Sequence, residues 1–284
     1  MKKAIAIVSA ILMAIGMCTG CAKGGESISV ISREDGSGTR GAFIELLGIE
    51  QKNEAGEKID HTTDAADITN STSVMMTAVA GNPNAIGYIS LGSLNDTVKA
   101  LQIDGVDANV ANIKSGAYKI ARPFNIATGA SISDAAQAFI GFIMSADGQR
   151  VIEENGYIAS NDGAAAFAGG TLAGKVVVAG SSSVTPVMEK LKEAYLTRNP
   201  NAEIEIQQSD SSTGMNALKD GTCDIGMASR ELKDSELEAG LTPTVIAMDG
   251  IAIIVNNGND TTNLTAEQVR AIYMGEVSAW SELK

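Results

Sequence analysis

Four times along the chain, an apolar strand-like stretch runs into a turn of serine, threonine, glycine or arginine that opens a helix-like stretch. The turns span residues 33–39, 180–183, 210–214 and 228–230, after strand-like runs at 28–31, 176–179, 204–206 and 224–228. Strands that alternate with helices in this way build α/β layers around a largely parallel sheet. In open sheets of this kind, ligands collect outside the carboxyl ends of the strands, where such turns converge.

The rest of the chain fits the same frame. Residues 51–70 are polar and read as a loop, 71–80 as a helix, 82–84 as a turn and 85–89 as a buried strand. Residues 99–106 and 118–126 read as extended. Ser133 caps a helix that sets Ala135, Ala138, Phe139, Phe142 and Ile143 on one face. Helix spacing returns at 186–198 through Val187, Met188, Leu191, Ala194 and Tyr195; residues 250–255 form an apolar strand, and Thr265 caps a helix through Tyr273. No fixed-period repeat is present.

The N-terminal residues carry an address. Lys2 and Lys3 precede an apolar run at 4–17 and then Cys18-Thr19-Gly20-Cys21. A basic start, a short apolar run and small residues at the cut describe a secretory signal, and the run is short for a membrane span. A cysteine after Thr-Gly resembles the bacterial lipoprotein processing site, although Cys18 stands where that pattern usually has leucine. The expectation is a signal peptide at 1–20, lipidation of Cys21, a tether at 21–27 and a mature chain held at the extracellular face of the cell membrane. Cys223 would then be the only thiol left, with no disulfide partner, and reads as a buried structural residue.

Charge excludes one class of partner. A formal net charge of −13 is unsuited to nucleic acid. It does not exclude a small anion, because oriented backbone N–H groups and one buried arginine outweigh distant, screened carboxylates. Serine and threonine hydroxyls, small residues that admit a ligand to the backbone, and helix N-termini together suit an oxyanion, which has acceptors on every side. Taken singly each turn is an ordinary N-cap; taken together they indicate an α/β site for an oxyanion or a phosphate group.

The segment Arg33-Glu34-Asp35-Gly36-Ser37-Gly38-Thr39-Arg40 closely resembles the signature of the PstS-type phosphate-binding proteins of bacterial ABC importers. Residues 179–186, 224–232, 249–256 and 272–280 resemble further segments of that family, and together these cover most of the mature chain. Their order differs. In the usual order the segment like 176–186 comes first and the Trp280 segment directly precedes the Arg33 segment, so the sequence resembles a circular permutation, with residues 159–174 as the new connection. Such a rearrangement requires the two ends of the mature chain to lie close together.

The resemblance implies a two-lobed clamp of the type 2 periplasmic-binding-protein kind, circularly permuted. One lobe would comprise 28–118 plus 255–284 and the other the continuous stretch 119–254. Strands near 118–123 and 253–256 would cross between the lobes as the hinge. Carried over by motif, phosphate would be held by Ser182, Ser183, Ser211, Ser229, Arg33, Ser37, Gly38 and Thr39. Asp35 would orient Arg33 by ion pairing, while Ser181 and Arg230 are additional candidates. Some family members carry aspartate where this chain has Ser229, and that carboxylate accepts the proton of a protonated phosphate. A serine hydroxyl also accepts but discriminates less against sulfate.

The implied partners are inorganic phosphate and ABC permease subunits, with a lipid anchor on Cys21, no cofactor, no nucleic acid and a monomeric chain. An enzyme is disfavoured. His61, the sole histidine, sits in a polar stretch, no Gly-x-Ser-x-Gly elbow joins a strand to a helix, and metal-ligand spacing and a Walker ending are absent. The alternatives are a binding protein for another oxyanion such as sulfate or molybdate, a phosphate sensor and, more remotely, a serine hydrolase.

Overall fold

The computed structural model describes residues 27–169 and 173–283. The expected signal peptide, Cys21 and most of the tether lie outside the described residues. No helix among the described residues is long and apolar enough to cross a membrane.

One curled ten-stranded sheet organises the chain. Its order is Ala202–Ser209, Gly174–Ser181, Ile225–Ala228, Ala121–Thr128, Thr242–Asn256, Ala85–Ser90, Ser29–Arg33 and Asp67–Thr69, with Val98–Ala100 and Ile158–Ala159 added to Thr242–Asn256. Pairing is parallel at both ends, where Gly174–Ser181 lies between Ala202–Ser209 and Ile225–Ala228, and Ser29–Arg33 between Ala85–Ser90 and Asp67–Thr69. It is antiparallel in the middle, between Ala121–Thr128 and Thr242–Asn256. Parallel ends carry the strand–turn–helix units, and the antiparallel centre joins them.

Apolar side chains separate into two main cores. One gathers Ile28, Phe43, Met75, Tyr88, Tyr118, Ile251–Val255 and Tyr273; the other gathers Phe124, Phe139, Phe142, Val178, Leu191, Ile225 and Ile246. The chain passes between them twice, from Ile120 to Phe124 and from Ala247 to Ile251. The second passage thus precedes the expected 253–256. Thr242–Asn256 is one strand of 15 residues with an irregularity between Val245 and Ala247. The polar Asp249 and Gly250 hide this continuity in the sequence.

The caps form as the sequence predicts. Ser133 accepts from Ala136 N, and Thr265 closes a capping box with Gln268; Ser71, which the sequence reads as the first helical residue, is a further cap and accepts from Val74 N. Residues 51–70 are not one loop. Glu50–Lys52 and Lys58–Asp60 form a hairpin, and Asp67–Thr69 is the edge strand beside Ser29–Arg33. These strands are three residues each and largely exposed, so no apolar alternation marks them.

The two described ends lie side by side, with Ile28 N donating to Ser278 O at 2.8 Å and Ser27 bridging Ala279. The connection after Ile158–Ala159 is packed down. Phe167 N donates to Asp147 Oδ2 at 2.9 Å, and the Phe167 ring meets Phe142 edge-on at 5.3 Å. Cys223 is buried, and burial pushes its thiol up to about 11, as befits an inert structural residue.

Candidate oxyanion-binding site

Four helices begin at the carboxyl ends of neighbouring strands: Gly38–Leu46, Thr72–Gly81, Thr185–Arg198 and Ser211–Lys219. The first N–H groups of each have no partner within the helix and carry partial positive charge. Ser37, Ser71 and Asp210 cap three of them, while Thr185–Arg198 starts at Val184 with no side-chain cap.

Arg33 supplies the full positive charge. It ends the strand Ser29–Arg33 and is 2% exposed. Its Nη2 donates to Ser182 Oγ at 3.1 Å, and Nη1 reaches Thr72 Oγ1 at 3.4 Å. The backbone beneath it is fixed, because Arg33 N donates to the Tyr88 hydroxyl at 3.1 Å and the Tyr88 ring stacks on Phe43 at 3.9 Å. Burial pushes that Tyr88 hydroxyl up to about 12, so it remains a neutral acceptor.

Hydroxyls from both cores then close a continuous set. Thr39 Oγ1 and Ser183 Oγ lie 2.7 Å apart, and Thr72 Oγ1 is 3.1 Å from Ser183 Oγ and 3.4 Å from Ser182 Oγ. Ser181 Oγ donates to Ser229 Oγ at 2.9 Å, and Ser229 N donates to Ser211 Oγ at 3.1 Å. Every one of these residues is at most 5% exposed. Gly36 O accepts from Ser212 N at 3.2 Å, so the two lobes meet backbone to backbone beside the hydroxyls.

Glycine is required at two close approaches, one between the lobes and one within the second lobe. A Cβ on Gly38 would lie 2.4 Å from Ser211 Oγ and 2.8 Å from Ser229 Oγ. A Cβ on Gly214 would lie 2.5 Å from Gly180 Cα, so helix Ser211–Lys219 rests directly on the end of strand Gly174–Ser181.

The structure therefore brings together Arg33, Gly38, Thr39, Ser181, Ser182, Ser183, Ser211 and Ser229. Ser37 adjoins them, its hydroxyl accepting from Arg40 N at 3.3 Å. Asp35 does not join them. It is exposed and pairs with Arg40, which also bonds Asp60 at 2.7 Å. The partner of Arg33 is instead Glu34, whose two oxygens accept from Nε at 2.8 Å and Nη2 at 2.7 Å. A neighbour in sequence reaches the buried guanidinium, while Arg40 draws Asp35 outward.

Arg230 also differs from the expectation. Its guanidinium forms a two-bond pair with Glu236 at 2.8 Å each, and only its aliphatic stem lies against Gly38. Burial opposes the charge on Glu236, but Arg230 and the Lys233 N–H outweigh it and hold the carboxyl below its ordinary range. Thr72 was not anticipated. Its signal was Ser71-Thr72-Ser73 after a strand, the same design as the other turns, concealed by reading 51–70 as a loop.

The assembly is suited to holding an anion. His61, the sole histidine, is exposed in the segment after the hairpin. The carboxylates closest in sequence are paired: Glu34 on Arg33 itself, Asp35 on Arg40, Asp210 on Thr213 and Glu236 on Arg230. Among the described residues, no group of histidine, cysteine, aspartate and glutamate could hold a metal ion.

Comparisons with known proteins point to one family. The sequence profile of the PBP superfamily domain matches residues 22–147 and 165–284. A phosphate-binding protein PstS 2 of Streptococcus agalactiae is 56% identical over 278 residues, covering 96% of this chain and 94% of its own. One from Streptococcus pneumoniae is 46% identical over 258 residues, covering 91% and 88%. The crystal structure of a phosphate-binding protein of a phosphate ABC transporter from Streptococcus pneumoniae superposes with a TM-score of 0.71 at 46% identity, covering 91% of this chain and 100% of that one. A phosphate-binding protein PstS of Staphylococcus haemolyticus matches over a shorter stretch, 34% identical over 119 residues and 39% of this chain. The chain belongs to the PstS phosphate-binding proteins, within the PBP superfamily.

Proposed function

We propose that this protein captures inorganic phosphate between its two lobes and delivers it to the permease of an ABC importer. The observation that carries this reading is the buried set of hydroxyls, drawn from both lobes and four helix starts, around the single guanidinium of Arg33. A tetrahedral oxyanion needs donors from several directions at once, and this arrangement supplies them. Phosphate would be bound by Arg33, Gly38, Thr39, Thr72, Ser181, Ser182, Ser183, Ser211 and Ser229.

The same reading assigns no catalysis to the serines, because none has a base beside it to take its proton. It places the mature chain at the outer face of the membrane, monomeric and anchored through a lipid on Cys21. The lobes divide at the two passages near 120–124 and 247–251, slightly inside the expected 28–118 plus 255–284 and 119–254, with strands Ala121–Thr128 and Thr242–Asn256 as the hinge. We also read the segment order as a circular permutation of the usual family order. The adjacency of Ser27 and Ala279 satisfies its physical requirement, and a match to the Staphylococcus haemolyticus protein limited to 39% of the chain is what a changed order leaves.

Titration calorimetry of the mature chain with phosphate, sulfate and molybdate tests the function. Saturable 1:1 phosphate binding, tighter than that of either other anion, is expected. Equal sulfate and phosphate affinity would replace the phosphate reading with a general oxyanion one.

A further inference from the structure

Where the two long strands cross, Arg122 and Asp249 face each other in register, Nη2 to Oδ2 at 3.2 Å, with side chains 2% and 0% exposed. Each neighbouring element adds a contact. Ser90 Oγ donates to Asp249 Oδ1 at 2.9 Å, and the Gly92 N–H also bonds this carboxylate. From the other core, the Tyr157 ring lies so close to Gly92 that a Cβ there would sit 2.1 Å from it, and its hydroxyl faces Ser90 and Ser93. Arg122 Nε and Nη1 are buried without a partner among the described residues. The cluster thus ties both lobes to the hinge and leaves two guanidinium donors unspent.

It also connects to the oxyanion site. Tyr88, which holds the Arg33 backbone, and Ser90, which holds Asp249, are two residues apart on strand Ala85–Ser90 and so share a face. Arg33 bears electrostatically on Arg122. Around the cleft every arginine described above already has a carboxylate: Arg33 has Glu34, Arg40 has Asp35 and Asp60, Arg230 has Glu236, and Arg122 has Asp249. A bound dianion therefore adds negative charge to a region whose arginines are already paired, and that charge disfavours the ionised form of a nearby buried carboxylate.

We propose that capture of the anion is coupled to uptake of a proton from solvent by Asp249, which turns the Arg122–Asp249 pair into a net positive couple at the hinge. The inference rests on the phosphate reading above. The proton adds to Oδ1 and is donated to Ser90, whose hydroxyl turns to accept it, while Oδ2 continues to accept from Arg122.

The carboxylates of the cleft differ in how readily they take a proton. Burial pushes Asp249 up to about 6, against the pull of Arg122, Ser90 and Gly92. Asp60 and Glu236, by contrast, are held below their ordinary range: burial opposes their charge, but Thr62 and Arg40, and Arg230 and Lys233, outweigh it. The other groups bearing on the pair are Arg33, positive beside Arg122, and Tyr157, whose hydroxyl burial keeps neutral. An added dianion disfavours a nearby carboxylate further, so binding draws the proton in.

The test compares phosphate binding by the wild-type chain and Asp249→Asn, which mimics the protonated form. Calorimetry in buffers of different ionisation enthalpy reads the protons taken up, and phosphate's own titration cancels between the two chains. The expected result is extra proton uptake in the wild type and an affinity, relative to D249N, that rises up to about tenfold per pH unit as pH falls toward the Asp249 range. Equal proton uptake in two chains that both bind phosphate, or D249N weaker by one constant factor at every pH, would overturn the inference and leave the phosphate reading standing. Failure of the wild type to bind phosphate would remove both. Should D249N not fold, infrared difference spectra of the wild type give the same answer: a protonated-carboxyl band appearing on phosphate addition supports the coupling, and its absence overturns it.

Discussion

Arg33 Nη2 donates to Ser182 Oγ at 3.1 Å across 149 residues of chain and from one lobe to the other. Removing the guanidinium should therefore weaken closure as well as charge complementarity. Arg33→Ala is expected to lower phosphate affinity by about 3 kcal/mol, on the order of 100-fold, since a buried charged partner is lost. Arg33→Lys should recover only part of it, because an ammonium lacks the planar fork. Titration calorimetry checks both.

Gly38 sets how closely the lobes can approach. Gly38→Ala places a methyl group against Ser211 and Ser229 of the facing lobe. Phosphate binding should fall at least about tenfold, while the melting temperature of the ligand-free chain changes little, because an open clamp leaves room for the methyl group. A large loss of ligand-free stability would instead place the clash within a lobe.

Ser229 carries the selectivity prediction. A hydroxyl can donate to either anion, whereas a carboxylate repels one that has no proton to give. Ser229→Asp should reduce sulfate binding by about 3 kcal/mol or more while largely sparing protonated phosphate. Competition titrations at matched pH would read the ratio of the two affinities, and an unchanged ratio would remove Ser229 from the account of selectivity.

Glu236 supports the cleft from one side. Its carboxyl lies below its ordinary range in the fold, so its contribution to stability is present above the unfolded value near 4.5 and is lost as pH falls through the lower folded value. Glu236→Gln leaves Arg230 buried without its partner and should cost about 3 kcal/mol at neutral pH, read by chemical denaturation. The difference from wild type should shrink in acid.

Much of this arrangement was legible in the chain. The strand–turn–helix units at 33–39, 180–183 and 210–214 each form, because apolar runs, small turn residues and caps act locally. The turn at Ser229 and Arg230 does not open a helix at once, since Asp234–Glu238 starts further on. Thr72 was hidden because its strand, Asp67–Thr69, is short and lies at a sheet edge. The pairing of Arg33 with Glu34, and of Arg230 with Glu236, depends on which carboxylate the packed backbone brings within reach, and spacing does not encode that. Nor does a sequence reveal that Arg122 and Asp249 meet, because 127 residues separate them and only the strand register joins them.

A crystal structure of the chain grown with phosphate is the most direct measurement. The anion should sit between the lobes, within hydrogen-bond distance of Arg33, Thr39, Thr72 and the hydroxyls of Ser182 and Ser183, with Gly38 against Ser211 and Ser229. Phosphate bound elsewhere, or seated with Arg33 turned away from it, would contradict the account.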